Sequence, residues 1–339
     1  MYTGRERILR TLGGEPVDRP AWMLWRHYYE EEQTAQGLAN AMLGWQERWG
    51  FDGLKVNARS HYYGEGWGAV WELAGDPPRP RRVRYPVQTV EDWDKIEPLN
   101  PRQGAFGEHV EAVRLIRRRL PEDVMLIHTV FLPFAITGRL LVDSPRTMAD
   151  HLRTDPQRVH HAVKAITETW IDFVRLLREE GVDGIFFATT PFMASLDIFP
   201  EHEYAEFGRP YDLQVISAVE DLSFNVLHVC GLHVMLNALA DYPVAALNWE
   251  TTDPRNIGLG EALSRYGKAI IGGLTHRTSL KRPTIATGTP AEVLAEAGRA
   301  ASEAAGRRWI LGAGCVTPAE TPDENIEALR QALPALSQR

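Results

Sequence analysis

Eight short apolar runs recur along the chain, and helix-like segments lie between them. The helix-like segments carry start signals such as Ser144-Pro145 and Thr289-Pro290, in which a capping hydroxyl precedes a proline at the first helical position. Continuous apolar runs of this length are typical of strands that are covered on both faces. The alternation predicts eight parallel strands closed into a (β/α)8 TIM barrel, with an open doubly wound sheet as the alternative. The eight runs are Ala21–Trp25, Leu54–Val56, Val124–Val130, Gly184–Ala188, Asn225–Cys230, Ala245–Trp249, Ala269–Leu274 and Arg308–Leu311.

The length of the chain, 339 residues, suits one elaborated barrel. No repeat, low-complexity tract or linker divides it, so we expect residues 1–339 to form a single domain. The Pro/Arg-rich stretch Asp76–Tyr85 is interpreted as an insertion after the second strand. Its basic run, Arg79–Arg84, is interpreted as a solvated loop.

Composition excludes some classes of function. The formal net charge is -8, which disfavours a nucleic-acid partner. No apolar run approaches the roughly 18 residues that a membrane span needs, and the first residues lack the apolar core of a signal peptide. We therefore expect a cytoplasmic protein with no membrane partner. In a reducing compartment its two cysteines are either small buried apolar residues or reactive groups and metal ligands.

Both cysteines fall at the ends of predicted strands. His228 and Cys230 end the fifth strand, and because strand side chains alternate, they project to the same side. Cys315 follows the eighth strand, so it reaches the same C-terminal rim, where barrel enzymes place their chemistry. Taken singly, each cysteine could be a core residue. Together, one imidazole and two thiolates suit Zn2+ with a fourth position open.

Other polar residues at the same rim are candidates for catalysis or substrate binding. Glu250 could complete the metal site, act as a general base or form a rim salt bridge. His128 could take part in catalysis or be a hydrogen-bonded core histidine. Arg26 could bind a substrate carboxylate or form a structural ion pair. The remaining candidates for substrate contact are Lys55, Asn57, Asn248, His276, and Tyr62 in the aromatic, Gly-rich loop 61–68.

Three stretches resemble the uroporphyrinogen decarboxylase superfamily. The opening Arg7–Arg10 with Gly14–Pro20 is similar to the approach to its first strand, and Thr317–Ile326 is similar to its closing segment. The stretch Phe199–Tyr211 resembles its helix after the fourth strand. The resemblance implies a TIM barrel. Decarboxylases of this superfamily use an aspartate after the second strand and a paired arginine motif after the first. Here Asn57 and the sequence His27-Tyr28-Tyr29 stand at those places, so we do not expect tetrapyrrole decarboxylation.

One branch of the superfamily binds zinc through a His-x-Cys pair and a distant cysteine. This branch contains the methylcobamide:coenzyme M methyltransferases, and its pattern falls on His228, Cys230 and Cys315. The resemblance implies a zinc-dependent methyltransferase that exchanges a methyl group between a small molecule and a corrinoid (methylcobalamin) on a separate corrinoid protein. The chain itself has no Asp-x-His-x-x-Gly corrinoid motif.

Two other functions remain open on the same residues. One is a zinc enzyme that alkylates thiols without a corrinoid, and the other is a barrel of the same superfamily that only binds a ligand. For the methyltransferase, the aromatic residues Trp25, Tyr62 and Trp249 near the expected mouth favour an aryl methyl ether over a simple thiol.

Overall fold

The computed structural model describes residues 1–59, 61–276 and 282–338. Its strands, in chain order, are β1 (Ala21–Trp22), β2 (Gly53–Val56), β3 (Val70–Ala74), β4 (Arg79–Arg84), β5 (Met125–Phe131), β6 (Gly184–Ala188), β7 (Val226–His228), β8 (Ala246–Asn248), β9 (Ala269–Leu274) and β10 (Trp309–Ala313). Eight of them form one parallel sheet in the order β1-β10-β9-β8-β7-β6-β5-β2. The spatial order follows the chain, and the last strand pairs with the first. The strands form a nearly closed barrel, which confirms the (β/α)8 prediction and excludes an open doubly wound sheet.

Helices connect the strands and surround the barrel. They are α1 (Gly4–Gly13), α2 (Ala35–Trp49), α3 (Tyr62–Glu65), α4 (Gly104–Arg117), α5 (Pro133–Ile136), α6 (Pro145–Thr154), α7 (Pro156–Glu179), α8 (Glu201–Phe207), α9 (Arg209–Ser217), α10 (Leu236–Leu239), α11 (Leu259–Arg265), α12 (Thr284–Thr287), α13 (Pro290–Ala304) and α14 (Asp323–Ala332). Short 3-10 segments cover Glu31–Gln33, Val90–Lys95 and Leu333–Gln338, and a π-helical turn covers Thr137–Leu141. The predicted start signals hold: Ser144 and Thr289 accept backbone hydrogen bonds as N-caps of α6 and α13. No helix in the described part of the chain has both the length and the apolar composition of a membrane span.

Two apolar layers follow from the alternation of strand side chains. The inward layer fills the barrel and includes Met125, Ile127 and Val226. The outward layer lies between strands and helices and includes Leu126 and Leu227. Positions that face inward near the C-terminal ends of the strands are therefore the ones that can line a site.

The N-terminal end of the barrel, which we call the floor, is closed by α1. Ile8 of this helix inserts into the inward layer. Asp52 accepts hydrogen bonds from Arg7 (Nη1, 2.5 Å), Arg19 (Nη1, 2.7 Å) and the backbone nitrogen of Trp22 (2.9 Å), and its own nitrogen donates to the Trp22 carbonyl at 3.2 Å. These bonds join β1 to the residue before β2, where the barrel closes.

The basic run Arg79–Arg84 is not the solvated loop that the sequence predicted. It forms β4, which pairs with β3 as an antiparallel hairpin. The guanidinium of Arg82 lies over the rings of Trp71 (5.1 Å) and Tyr85 (3.9 Å), so cation–π contacts anchor this strand. A charged run can form a strand where its long side chains cover aromatic rings.

Candidate metal centre

Three metal-ligating side chains meet at the C-terminal end of the barrel. The donor atoms of His228, Cys230 and Cys315 all lie within 4.8 Å of one another, and the two sulfur atoms are 4.0 Å apart. Two sulfurs bound at about 2.3 Å to one tetrahedral zinc would lie ~3.8 Å apart. The arrangement and the donor types therefore fit Zn2+, with three protein ligands.

The local sequence explains how these residues meet. His228 is the last residue of β7, and Cys230 follows two positions later on the same side, where its nitrogen donates to Thr189 Oγ1 at 2.8 Å. Cys315 follows β10, and the preceding Gly314 lies against Glu250. A Cβ at Gly314 would lie 2.7 Å from the Glu250 backbone, so only glycine permits this approach.

The two thiols affect each other's acidity. The hydrogen bond from Cys230 holds the pKa of the Cys315 thiol well below its usual value, and the charge of His228 lowers it further. The same hydrogen bond, together with burial, raises the pKa of the Cys230 thiol. The pair therefore stabilises one thiolate, which is the form of cysteine that binds metals.

A cavity of about 190 Å3 opens beside the three ligands. This is smaller than the ~300–1,000 Å3 of pockets for drug-sized ligands, so the cavity has room only for a small molecule. Its walls are mostly apolar and aromatic. The residues that line it include Trp25, Lys55, Asn57, Tyr63, Trp71, Phe131, Arg139, Phe186, His228, Cys230 and Cys315.

Lys55 and Asn57 lie in this cavity, as the sequence suggested. The Lys55 ammonium donates to Asn57 Oδ1 at 2.8 Å and lies 4.5 Å from the ring centre of Phe186 and 5.0 Å from that of Trp25. Burial lowers the pKa of Lys55 to about 7. The Asn57 Nδ2 group is buried without a hydrogen-bond partner among the described residues. Both groups therefore have donors that a ligand can use.

Glu250 lies beside the three candidate metal ligands but is not one of them. Its Oε1 accepts from Thr252 Oγ1 at 2.6 Å, and its Oε2 accepts from the His276 nitrogen at 2.8 Å. These bonds tie the loop after β8 to the loop after β9. His276 lines a shallow pocket beside the rim, and its buried Nδ1 has no partner among the described residues. Asn248 faces inward and donates to the Ile271 and Ala313 carbonyls at 2.8 and 3.0 Å, so it braces three strands.

Three residues that the sequence placed near the mouth lie outside the cavity. His128 faces outward, in contact with His109 and Phe173, because its neighbours in β5 face inward; burial lowers its pKa to about 3. Tyr62 is fully buried against His109, behind the cavity wall. Trp249 is also buried outside the cavity.

Arg26 does not line the cavity either. Its guanidinium lies over Tyr28 and Trp45 and donates to the Ala319 carbonyl at 3.1 Å. These contacts hold the first and last rim segments together, which is a structural role.

Several residues of the cavity wall were not predicted from the sequence. Tyr63, the neighbour of Tyr62, stacks on Phe131 at 4.4 Å and donates to the Thr129 carbonyl at 2.5 Å. Trp71 reaches the cavity from the hairpin, and Arg139 reaches it from the π-helical turn. The only signal for these residues was their aromatic or charged character in segments next to the rim.

Comparisons with known proteins bear on the family. A sequence profile described as "Uroporphyrinogen decarboxylase (URO-D)" matches residues 3–335. The chain belongs to the uroporphyrinogen decarboxylase family. This confirms the resemblance that the opening, middle and closing motifs suggested. The ion network of Arg7, Arg19 and Asp52 shows that part of the opening motif closes the barrel floor.

Relatives in this family carry different names. A protein from Methanosarcina mazei named methylcobamide:CoM methyltransferase MtbA is 25% identical over 97% of this chain and 96% of its own length. A uroporphyrinogen decarboxylase from Nocardia farcinica is 28% identical over 68% of this chain and 65% of its own. The solved structure of a methyltransferase from M. mazei superposes with a TM-score of 0.81 at 20% identity, covering 100% of this chain and 99% of the other. A B12-independent methionine synthase from Shewanella shares only the fold, at a TM-score of 0.52 and 14% identity, with 94% of each chain covered.

Proposed function

We propose that this protein is a zinc-dependent methyltransferase that moves a methyl group between a small molecule and a corrinoid carried by a separate protein. The observation that carries the proposal is the set of His228, Cys230 and Cys315, whose donor atoms converge in one small cavity. The names of the Methanosarcina relatives, which cover nearly the whole chain, support methyl transfer. We further propose that residues 1–339 act as one domain.

The donor set indicates what the metal supplies. A zinc ion held by one imidazole and two thiolates is a Lewis acid that draws charge from a substrate sulfur or oxygen. The protein's own residues exclude water from the substrate and position it. The aromatic walls exclude water, Lys55 and Asn57 orient the substrate, and Glu250 holds the two rim loops in place through Thr252 and His276. Fixed positioning of this kind supplies the in-line geometry that methyl transfer needs.

The approach of the corrinoid is restricted by the fold. Because α1 and the inward apolar layer close the floor, the methyl group is exchanged at the mouth, the C-terminal opening of the cavity. In the described part of the chain, four of the six exposed large apolar side chains lie in the two segments that flank this opening. They are Val70 and Val83 on the hairpin, and Phe192 and Leu196 after β6. Exposed apolar groups gathered around a site are typical of a protein-docking surface.

A spectroscopic assay tests the proposal. Zinc-loaded protein is mixed with cob(I)alamin and candidate methyl donors, or with methylcobalamin and thiols, and the two cobalt forms are followed by absorbance. We expect conversion with at least one substrate and none with the Cys315→Ser variant. If thiols, aryl methyl ethers, methylamines and methanol all give no conversion, even with a cognate corrinoid protein, the proposal fails. Thiol methylation from a donor other than a corrinoid would favour the corrinoid-independent alternative.

We also propose that uroporphyrinogen is not a substrate. No Asp or Glu lines the cavity in the described part of the chain, and Asn57 stands where the decarboxylases carry an aspartate. A cavity of about 190 Å3 is also too small for a tetrapyrrole. Formation of coproporphyrinogen at an ordinary enzymatic turnover, ~1–1,000 per second, would contradict this.

A further inference from the structure

Lys55 is a buried lysine that lacks a carboxylate partner in the described part of the chain. Lys55 is 3% exposed, and its ammonium contacts the amide oxygen of Asn57 and the faces of two aromatic rings. A buried charge normally has an ion-pair or metal partner, because removing it from water is costly. The one negative group among the described residues that acts on Lys55 is the Cys315 thiolate, which is a zinc ligand in the proposed function. Because that thiolate binds the metal, a ligand in the cavity can provide the negative charge that Lys55 lacks.

Apart from the candidate metal ligands, the other charged group that lines the cavity has the same sign as Lys55. Arg139 lines it as an exposed residue, and no carboxylate lines it within the described ranges. A small cavity with a cation at its buried wall and a second cation at its exposed edge favours an anion over a neutral or cationic ligand.

The aromatic walls of the cavity indicate a second property of the ligand, a flat ring. Two aromatic pairs line the cavity, Trp25 with Phe186 at 5.3 Å and Tyr63 with Phe131 at 4.4 Å. Trp71 of the hairpin adds a fifth ring. Aromatic walls favour a flat ring between them, because rings pack in stacked or edge-to-face arrangements.

We propose that the cavity takes a single aromatic ring that carries a carboxylate and a methyl ether, with the carboxylate bound by Lys55 and Asn57. This names the substrate class of the proposed function and rests on it. In the reaction the O–CH3 bond breaks, and its electron pair stays on oxygen to give a phenolate. The methyl carbon bonds to the cobalt(I) of the partner's corrinoid through the cobalt electron pair, giving methylcobalt(III). The phenolate takes a proton from solvent after release.

Equilibrium binding to the zinc-loaded protein tests the substrate class without any methyl transfer. The probes are 3- and 4-methoxybenzoate, methoxybenzene, which lacks the carboxylate, and acetate, which lacks the ring. Calorimetry, or the total tryptophan fluorescence, to which Trp25 and Trp71 in the cavity wall contribute, gives the dissociation constants. We expect at least one methoxybenzoate to bind at least about tenfold more tightly than methoxybenzene and acetate, since a hydrogen bond to a charged group contributes about 1.5–3 kcal/mol.

Two lysine variants locate the anion site. Lys55→Met should weaken methoxybenzoate binding about tenfold or more and leave methoxybenzene binding unchanged. Lys268→Met is the matched control, because Lys268 is a half-buried lysine whose ammonium donates to two carbonyls just before β9, at the floor end. It should bind every probe as the wild type does. Thermal melts verify folding, and Lys55→Gln replaces Lys55→Met if the latter does not fold.

Three results would overturn the inference. The first is equal affinity for methoxybenzoate and methoxybenzene. The second is an unchanged preference in Lys55→Met. The third is loss of zinc from Lys55→Met with no change in probe preference, which would make Lys55 a counter-charge for the metal site. Methyl transfer with thiols but no methoxybenzoate binding would refute the substrate class alone. Methoxybenzoate binding without any corrinoid methylation would refute the proposed function.

Discussion

The two ends of the barrel differ in how far their buried polar and charged groups have partners within the protein. At the floor, Asp52 accepts from two arginines and a backbone nitrogen, so its charge is compensated within the protein. At the mouth, Lys55 has no carboxylate partner among the described residues. Its ammonium contacts an amide oxygen and two ring faces and lies near the Cys315 thiol, and Cys230 and Cys315 hydrogen-bond to each other. Compensated charges fix a structure, whereas uncompensated ones can bind a ligand. The family's opening motif therefore serves folding here, and the proposed chemistry belongs to the opposite end of the barrel.

Removing the Asp52 carboxylate at the floor should have the largest effect on stability. Asp52→Ala leaves Arg7 and Arg19 without their shared carboxylate where the barrel closes. We expect the free energy of unfolding to fall by about 3–5 kcal/mol, as when one partner of a buried ion pair is removed. Chemical denaturation measures it.

An exposed pair gives the matched control for this variant. Arg48 and Asp323 form an ion pair with roughly half-exposed side chains, so Asp323→Ala should cost less than about 1 kcal/mol. Folded Asp52→Ala should still bind zinc, because the ligands lie at the other end. A loss of zinc from well-folded protein would contradict the separation of the two ends.

An exposed leucine at each end of the barrel tests whether the partner protein docks at the mouth. Leu196 beside the mouth and Leu9 on α1 at the floor have nearly equal exposed fractions, 41% and 40%. Leu196→Asp should raise the KM for a protein-bound corrinoid about tenfold, a typical cost for a contributing interface residue. Leu9→Asp should leave it unchanged, and neither variant should affect the reaction with free cob(I)alamin. Equal effects of both substitutions would argue against docking at the mouth.

The smallest expected effect concerns acid stability. Hydrogen bonds from Arg7 lower the pKa of Asp18, at the floor, from 3.8 to about 2. A carboxyl with a lowered pKa in the folded state contributes stability above its unfolded pKa. That contribution should be lost as pH falls from about 4 to about 2. Asp18→Asn should flatten the decline in melting temperature over this range; an unchanged decline would show that other carboxyls dominate it.

Strand alternation explains why the sequence could place the candidate ligands His228 and Cys230 on one side. His228 ends β7 and Cys230 follows two residues later on the same side, and the same rule places Lys55, in β2, beside Asn57, which directly follows β2. The rule also explains the error at His128, which lies one position from the inward-facing Ile127 and therefore faces the helices.

The rest of the cavity depends on contacts between distant segments. Tyr63 lines the cavity and Tyr62 does not, yet they are neighbours in a short helix whose rotation no strand pattern sets. Trp71 reaches the cavity because the arginine-rich strand β4 pairs with β3. Arg26 is held by the rings of Tyr28 and Trp45 and so does not enter the cavity. Tertiary packing decides each of these positions.

The most direct test of the central claim is the zinc content of protein purified without added metal. With three ligands converging at the mouth, we expect about one zinc per chain. Cys230→Ser and Cys315→Ser should each lose most of it, because a hydroxyl binds this metal far less well than a thiolate. Glu250→Gln, which alters a neighbour outside the ligand set, should keep it. Stoichiometric zinc retained in both serine variants, or no zinc in the wild type even after zinc is supplied, would contradict the account.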